Sequence, residues 1–224
     1  MRVRTSDLAT DELDAHVELV RAVRDLNLAA ATARLTPSEA AEAVCAVEQL
    51  SAGLRTPRST SRLVRSTFEE PGQWARSGQP MPVNLLNPSQ PEVLVHFHGD
   101  FAEADRTGDP TGLAASARIS STALDEGPTD GLHGGMSAFL MDCMLGFLVQ
   151  AYGVPAVTGR LDVRYVARTP LEREVDLRSR VVSRSGRKIR VEGVIEHEGR
   201  TCVEAAGLFV VIDLPGFRPE PAPA

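Results

Sequence analysis

Asp142 is the one ionisable side chain in a long apolar stretch, Gly134 to Tyr152, whose other residues include Met136, Phe139, Leu140, Met144, Leu145 and Leu148. A carboxylate set among hydrocarbon is expensive unless it is hydrogen-bonded or protonated, so it calls for a partner or a task. An acid kept there can serve as a general base or a nucleophile. On a helix its neighbours four and seven positions away are Gly135, Ala138 and Gly146, a narrow stripe of small residues of the shape left where something else must fit. The plainer reading is an Asp that caps a nearby backbone loop. The same stretch is entered through His133-Gly134-Gly135. Free N–H groups at a helix start can stabilise negative charge on an oxygen, and glycines let a ligand approach the backbone closely.

The elements that must hold these residues can be read from periodicity. Residues 134 to 152 form one helix, stopped by Gly153 and Pro155 and apolar on every face, which predicts a buried hub. It is too short and too interrupted by glycine for a membrane span. Strands are expected at 92–97 and 113–121 before it, and at 157–166, 175–183, 188–196 and 201–212 after it. Ser185-Gly186 and Glu198-Gly199 mark hairpins. A long buried helix between the strands of an antiparallel sheet suggests an α+β fold in which a curved sheet wraps the helix.

Ahead of this domain, 92–213, the spacing predicts an N-terminal helical extension over 1–54. Its first helix carries Leu13, Val17, Val20, Val23 and Leu26. The second opens on the capping box Thr36-Pro37-Ser38-Glu39 and presents Val44, Val47 and Leu50 as its apolar side, so the pair reads as a helical hairpin that packs on the main domain or on a partner chain. Residues 55–91, punctuated by Pro71-Gly72, Gly78, Pro80, Pro82 and Asn87-Pro88, read as an irregular linker or lid anchored by Trp74. The tail, 214–224, should be disordered.

At 224 residues, 42% hydrophobic, the chain can bury one good core with an appendage. A formal charge of −6 argues against a nucleic-acid partner held through phosphates. Cys45, Cys143 and Cys202 lie apart in apolar runs and read as reduced core residues of a cytoplasmic protein. No secretion signal or membrane anchor is evident. His96 and His98 share a strand face but lack a third ligand, so no metal is expected.

The segment Gly131-Leu132-His133-Gly134-Gly135, with Asp142 nine positions after the histidine, resembles the H-G-G-x6-D signature of the PaaI-like branch of hotdog-fold acyl-CoA thioesterases, in the 4-hydroxybenzoyl-CoA thioesterase superfamily. Residues 158–165 and Arg168-Thr169-Pro170-Leu171 resemble that family's following strand and turn, and the likeness spans roughly residues 92 to 212. It implies a hotdog fold and a thioester hydrolase without cofactor, acting on an acyl-CoA or acyl-carrier-protein substrate. Asp142 matches the catalytic carboxylate, nucleophile or base for water. His133 and Gly134 match the helix-entry pair whose backbone N–H, chiefly that of Gly134, polarises the thioester carbonyl, with Gly135 beside the substrate. Thr158 matches a hydroxyl that orients the water. Strict alternation places Thr158 opposite Leu161, Val163 and Tyr165, so a bulge at Gly159, or a site on that other face, is needed to bring it in. Arg184, Arg187 and Lys188 cluster at a hairpin, where the default is a solvated turn and the alternative a seat for ligand phosphates on Arg187 and Lys188.

Gly134 and Asp142 are eight residues apart on one helix, about 12 Å along its axis, too far to act on one carbonyl. The site must borrow one of them from a second subunit, which implies a homodimer and allows a dimer of dimers. Hotdog domains also serve as dehydratases or hydratases and as non-catalytic acyl-thioester-binding modules, and both remain alternatives here.

Overall fold

The computed structural model describes residues 2–4, 9–55, 62–64, 69–128 and 130–213, in two compact units, the first ending in the chain at Arg65 and the second beginning at Ser66. The expected disordered tail, 214–224, lies outside the described residues.

The first unit holds β1 (Arg2–Arg4), α1 (Thr10–Thr32), α2 (Pro37–Leu54) and β2 (Arg62–Val64), with β1 and β2 paired in parallel. The capping box forms as expected. The Thr36 N–H donates to Glu39 Oε2 at 2.8 Å, and the Glu39 N–H donates to Thr36 Oγ1 at 3.4 Å. Within the single chain α2 buries no residue, and Val44, Val47 and Leu50 are exposed. Periodicity identifies an apolar face but not what covers it. Cys45, on the same helix, is likewise exposed and not a core residue, whereas Cys143 is half-buried and Cys202 buried.

The second unit runs α3 (Glu69–Ser77), β3 (Met81–Val83), β4 (Val93–His98), α4 (Phe101–Thr107), β5 (Ala114–Ser120), a single 3-10 turn (Ala123–Asp125), α5 (Gly134–Ala151), β6 (Ala156–Tyr165), β7 (Glu174–Ser185), β8 (Lys188–His197) and β9 (Arg200–Val211). Its strands form a seven-stranded antiparallel sheet in the order β3-β4-β5-β7-β8-β9-β6. The sheet wraps α5, giving the α+β hotdog architecture expected from the sequence.

Alternation drives this wrapping. Val175, Leu177 and Val181 on β7, Ile189, Val191 and Ile195 on β8, and Val203, Ala205 and Phe209 on β9 are buried on the side that meets Leu140, Met141, Met144, Leu145 and Leu148 of α5. Two glycines set how closely helix and sheet approach. A methyl at Gly193 would lie 2.5 Å from Met141 Cε and 2.6 Å from the Arg178 carbonyl oxygen, and one at Gly207 would lie 2.7 Å from the Phe209 ring and 3.0 Å from Leu145 Cδ1. The buried Ser179 hydroxyl is satisfied by donating to the Met144 carbonyl at 3.4 Å.

Three elements depart from expectation. The stretch expected as an irregular linker or lid carries α3, whose Trp74 packs on the core, and β3, whose Met81 pairs with Val95. Arg76 of α3 reaches Asp105 Oδ2 at 2.6 Å and the Gly72 and Ala151 carbonyls at 2.8 and 3.4 Å, tying α3 to α4 and to the end of α5. The segment between the strands expected at 92–97 and 113–121 contains α4, with Phe101 and Ala104 buried and Asp100 and Gly108 as its caps. Finally, α5 is not enclosed on every side. Ala138, Phe139, Asp142, Cys143, Gly146 and Phe147 keep partial access to solvent, while the opposite face is buried. It is the one helix among the described residues long and apolar enough to cross a membrane, a composition that follows here from sheet contact on one side and an apolar open face on the other.

Gly193→Ala should cost about 1–3 kcal/mol, because the backbone oxygen it meets cannot turn aside as a flexible side chain could. Thermal unfolding should show the loss; an unchanged midpoint would mean that β8 does not approach α5 this closely.

Candidate active site

The start of α5 is built by the loop before it. Thr122 and Asp125 form a capping box, the His133 N–H donates to the Asp125 carbonyl at 2.8 Å, and the Leu132 N–H donates to the Thr169 carbonyl at 2.9 Å. Gly127 must be glycine for this loop to close, since a methyl there would lie 2.8 Å from His133 Cα. His133 caps the helix with its own ring: Nδ1 accepts the Gly135 N–H at 3.0 Å. An accepting Nδ1 belongs to a neutral imidazole with its proton on Nε2, a tautomer assigned from this bond. A methyl at Gly135 would stand 3.1 Å from Nδ1, so the second glycine makes room for the cap.

Gly134 is left with a free donor. Its carbonyl accepts from the Tyr165 hydroxyl at 2.8 Å, and its N–H has no acceptor among the described residues. An unsatisfied first-turn N–H carries part of the positive end of the helix dipole and is a ready partner for a negatively charged oxygen.

Asp142 stands on the open face of the same helix, half-buried and not enclosed by the core as expected. Thr158 Oγ1 donates to its Oδ1 at 2.9 Å. That contact depends on the bulge anticipated at Gly159. Thr158 pairs with Phe209 and Arg160 with Leu208, so Gly159 is the extra residue, and Thr158 comes to share the helix-facing side with Leu161, Val163 and Tyr165. β6 therefore touches α5 at two points, Thr158 on Asp142 and Tyr165 on Gly134. Spacing reveals Tyr165 only as an inward strand residue; that it reaches the helix start is not legible in the sequence.

Of the small stripe beside Asp142, Gly146 is not explained within the chain. A methyl there would meet nothing nearer than a Phe209 ring carbon at 3.9 Å. The room lies on the open side.

Arg184, Arg187 and Lys188 sit at the β7–β8 hairpin. Arg184 donates to the Tyr152 hydroxyl and, at 3.2 Å, to the Gly108 carbonyl, with its guanidinium 5.3 Å from the Tyr152 ring centroid. Burial pushes the Tyr152 hydroxyl up, against the lowering influence of Arg184. Arg187 Nε donates to the Val211 carbonyl at 2.8 Å. Lys188 is exposed and in register with Val210, which pairs with Val157, so the hairpin lies two strands from β6 at the end of the sheet that carries Thr158.

A groove of about 960 Å³ occupies the opposite, outer face of the sheet and includes none of these groups. Its charged walls are paired across strands, Arg180 with Glu192 at 2.9 Å and Arg164 with Glu204 at 3.2 Å, which gives it the character of a solvated sheet surface. His98 lies there with Nε2 2.7 Å from Ser116 Oγ, and among the described residues no three His, Cys, Asp or Glu side chains gather as a metal site.

No family model matches the chain, and no curated protein matches it. Among solved structures, a thioesterase superfamily protein superposes with a TM-score of 0.70 at 24% identity, over 87% of this chain and 94% of that one. A hypothetical thioesterase from Streptococcus pneumoniae solved with coenzyme A (TM-score 0.43, 20% identity, 45% of this chain and 81% of that one) and the E. coli PaaI protein (0.43, 16%, 50% and 85%) are similar over the smaller share. The first likeness establishes the fold, the sheet-wrapped helix described above.

Gly135→Ala should push the His133 ring off its cap and weaken α5 by about 1 kcal/mol, the usual worth of an N-cap. Thermal unfolding would measure this, and the His133 ring ¹⁵N shifts should move with it; unshifted ring nitrogens would show that Nδ1 does not hold the helix start.

Proposed function

We propose that this protein hydrolyses an acyl thioester, of coenzyme A or of an acyl carrier protein, at a site assembled by two copies of the chain. The observation that carries the reading is the pairing, on one helix, of an accessible carboxylate held by a hydroxyl, Asp142 with Thr158, and an N–H without an acceptor at Gly134. The likeness in fold to a thioesterase superfamily protein supports it.

The chemistry follows from these groups. The thioester carbonyl oxygen accepts the Gly134 N–H, which stabilises the charge that develops there as the carbon becomes tetrahedral. Asp142 takes a proton from water oriented by Thr158, the water oxygen bonds to the carbonyl carbon, the C–S bond breaks, and the proton passes to the departing thiolate. In the nucleophilic variant Asp142 itself bonds to the carbon, the C–S bond breaks, the thiolate leaves and takes a proton from water, and a water then hydrolyses the anhydride to the free acid and the Asp142 carboxylate. The two groups lie about 12 Å apart along the helix, so the donor and the acid come from different chains. A two-fold pairing that sets two α5 helices antiparallel on their open faces would give two equivalent sites and use the space beside Gly146.

Asp142→Asn keeps the shape of the side chain and removes its basicity, and should lower kcat by on the order of 10²–10⁴ with folding and assembly intact. Free-thiol release from a panel of acyl-CoAs measures this. Hydrolysis within a few fold of the parent would leave Asp142 as a structural cap, whereas a parent that binds acyl-CoA without releasing thiol would favour a binding module. Mixed dimers test the shared site. A chain with Asp142→Asn paired with a chain carrying Gly134→Phe keeps one intact site if sites are shared and none if each chain has its own. Both changes in one chain, paired with the parent chain, give the reverse.

If Arg187 and Lys188 hold substrate phosphates, replacing both with Ala should raise KM well above its effect on kcat, because such contacts are alike in ground and transition states. Steady-state kinetics with an acyl-CoA decides it, and an unchanged KM returns the hairpin to an ordinary solvated turn.

A further inference from the structure

The peptide unit joining Gly134 to Gly135 is clamped from both sides. Its oxygen accepts from the Tyr165 hydroxyl at 2.8 Å, and its N–H donates to His133 Nδ1 at 3.0 Å. The preceding peptide, which carries the free Gly134 N–H, is held at its carbonyl end, where the His133 oxygen accepts the Ser137 N–H at 3.0 Å. The donor itself stays open.

We propose that Tyr165 is a positioning residue for the oxyanion donor, fixing the direction of the Gly134 N–H through this clamp; the inference rests on the thioesterase reading above. Two consecutive glycines give the backbone its greatest freedom, and a helix start made of them would wander without an outside restraint. The glycines are needed nonetheless, one for the approach of substrate and one for the His133 ring. Tyr165 supplies the restraint from β6, the strand whose Thr158 also holds Asp142. A methyl at Gly134 would stand in ordinary contact with the Tyr165 ring, 3.4 Å from two ring carbons, so the ring covers the glycine on one side as well. The bonds run in series, from the Tyr165 hydroxyl through the peptide to the imidazole, and such chains strengthen one another. A donor aimed before the reaction need not reorganise during it.

A purely structural role predicts something different. Tyr165 is 56% exposed, and the Gly134 carbonyl keeps the intrahelical bond that a first-turn carbonyl accepts, so deleting the hydroxyl strands no buried group. Stability should hardly change, whereas the aim of the donor should.

The test uses the full chain with Tyr165→Phe, which removes the hydroxyl and keeps the ring. Removing an oxyanion donor outright costs roughly 10²–10³ in kcat, so loosening one should cost less, about ten-fold, with KM within about two-fold. In ¹⁵N-labelled protein the Gly135 amide should exchange with solvent about ten-fold faster than in the parent, since its hydrogen bond opens more often. A kcat within two-fold of the parent, or unchanged exchange at Gly135, overturns the proposal, whatever the thermal midpoint does. Should the parent hydrolyse no acyl thioester at all, the functional reading fails by itself, and the exchange rate still decides whether Tyr165 holds the peptide.

Discussion

The burial of one face of α5 against the curved sheet is the contact on which the rest of the protein depends. Met141, Leu145 and Leu148 are almost wholly removed from solvent. Burying a side chain of that size contributes about 1.5–3 kcal/mol. The contact needs Gly193 and Gly207, because a side chain on either strand would hold sheet and helix apart. Every feature of the candidate site is referred to this contact. It fixes the rotation of α5, so that Gly146 lies on the open side and Asp142 stands beside it against the edge strand β6, and it fixes the height of α5, so that its first turn meets the end of β6. One-sided burial also makes the acid inexpensive, since Asp142 keeps access to water and a donor in Thr158.

The long periodic elements were legible in the sequence because their signals are local. The bounds of α5, the strands after it and the Thr36 capping box all follow from spacing and cap chemistry. What was not legible is short or relational. α4 and β3 fall below the length at which periodicity speaks, and the caps of α4, Asp100 and Gly108, are the same residue types that make turns. Thr158 shows the limit of alternation: one extra residue, Gly159, reverses the face of everything before it, and only the pairing with Phe209 reveals that it has done so. An all-apolar helix told the same story for contact with the sheet and for an open face, because composition records dryness and not its source. Val44, Val47 and Leu50 of α2 repeat that lesson on the exposed side.

β6 joins the two halves of the candidate site. It is one edge of the sheet, paired only with β9, and it crosses α5 so that Thr158 meets the middle of the helix while Tyr165 meets its start. The bulge at Gly159 is what allows one strand to make both contacts on one face. Acid and donor are thus referred to the same strand, and their separation is as fixed as the helix they sit on. A rigid separation of about 12 Å cannot close on a single carbonyl by any local motion.

That rigidity, together with the exposed edge, argues for the assembly proposed above. A ten-residue edge strand presents a row of backbone groups that other chains can pair with, and proteins ordinarily cover, shorten or charge such an edge. β3, at the other edge, is three residues long and is blunted by its brevity. β6 is long, and the charges it carries at Arg160, Asp162 and Arg164 lie on the outer face, partnered within the chain: Arg160 with Asp162, and Arg164 with Glu204. Among the described residues of the second unit they leave the edge itself, and the apolar open face of α5 beside it, uncovered. A second copy set antiparallel along this side would cover Phe139, Cys143 and Phe147, occupy the space at Gly146, and bring the Gly134 N–H of each chain toward the Asp142 of the other. On this reading the open face of α5 is where the reaction is assembled.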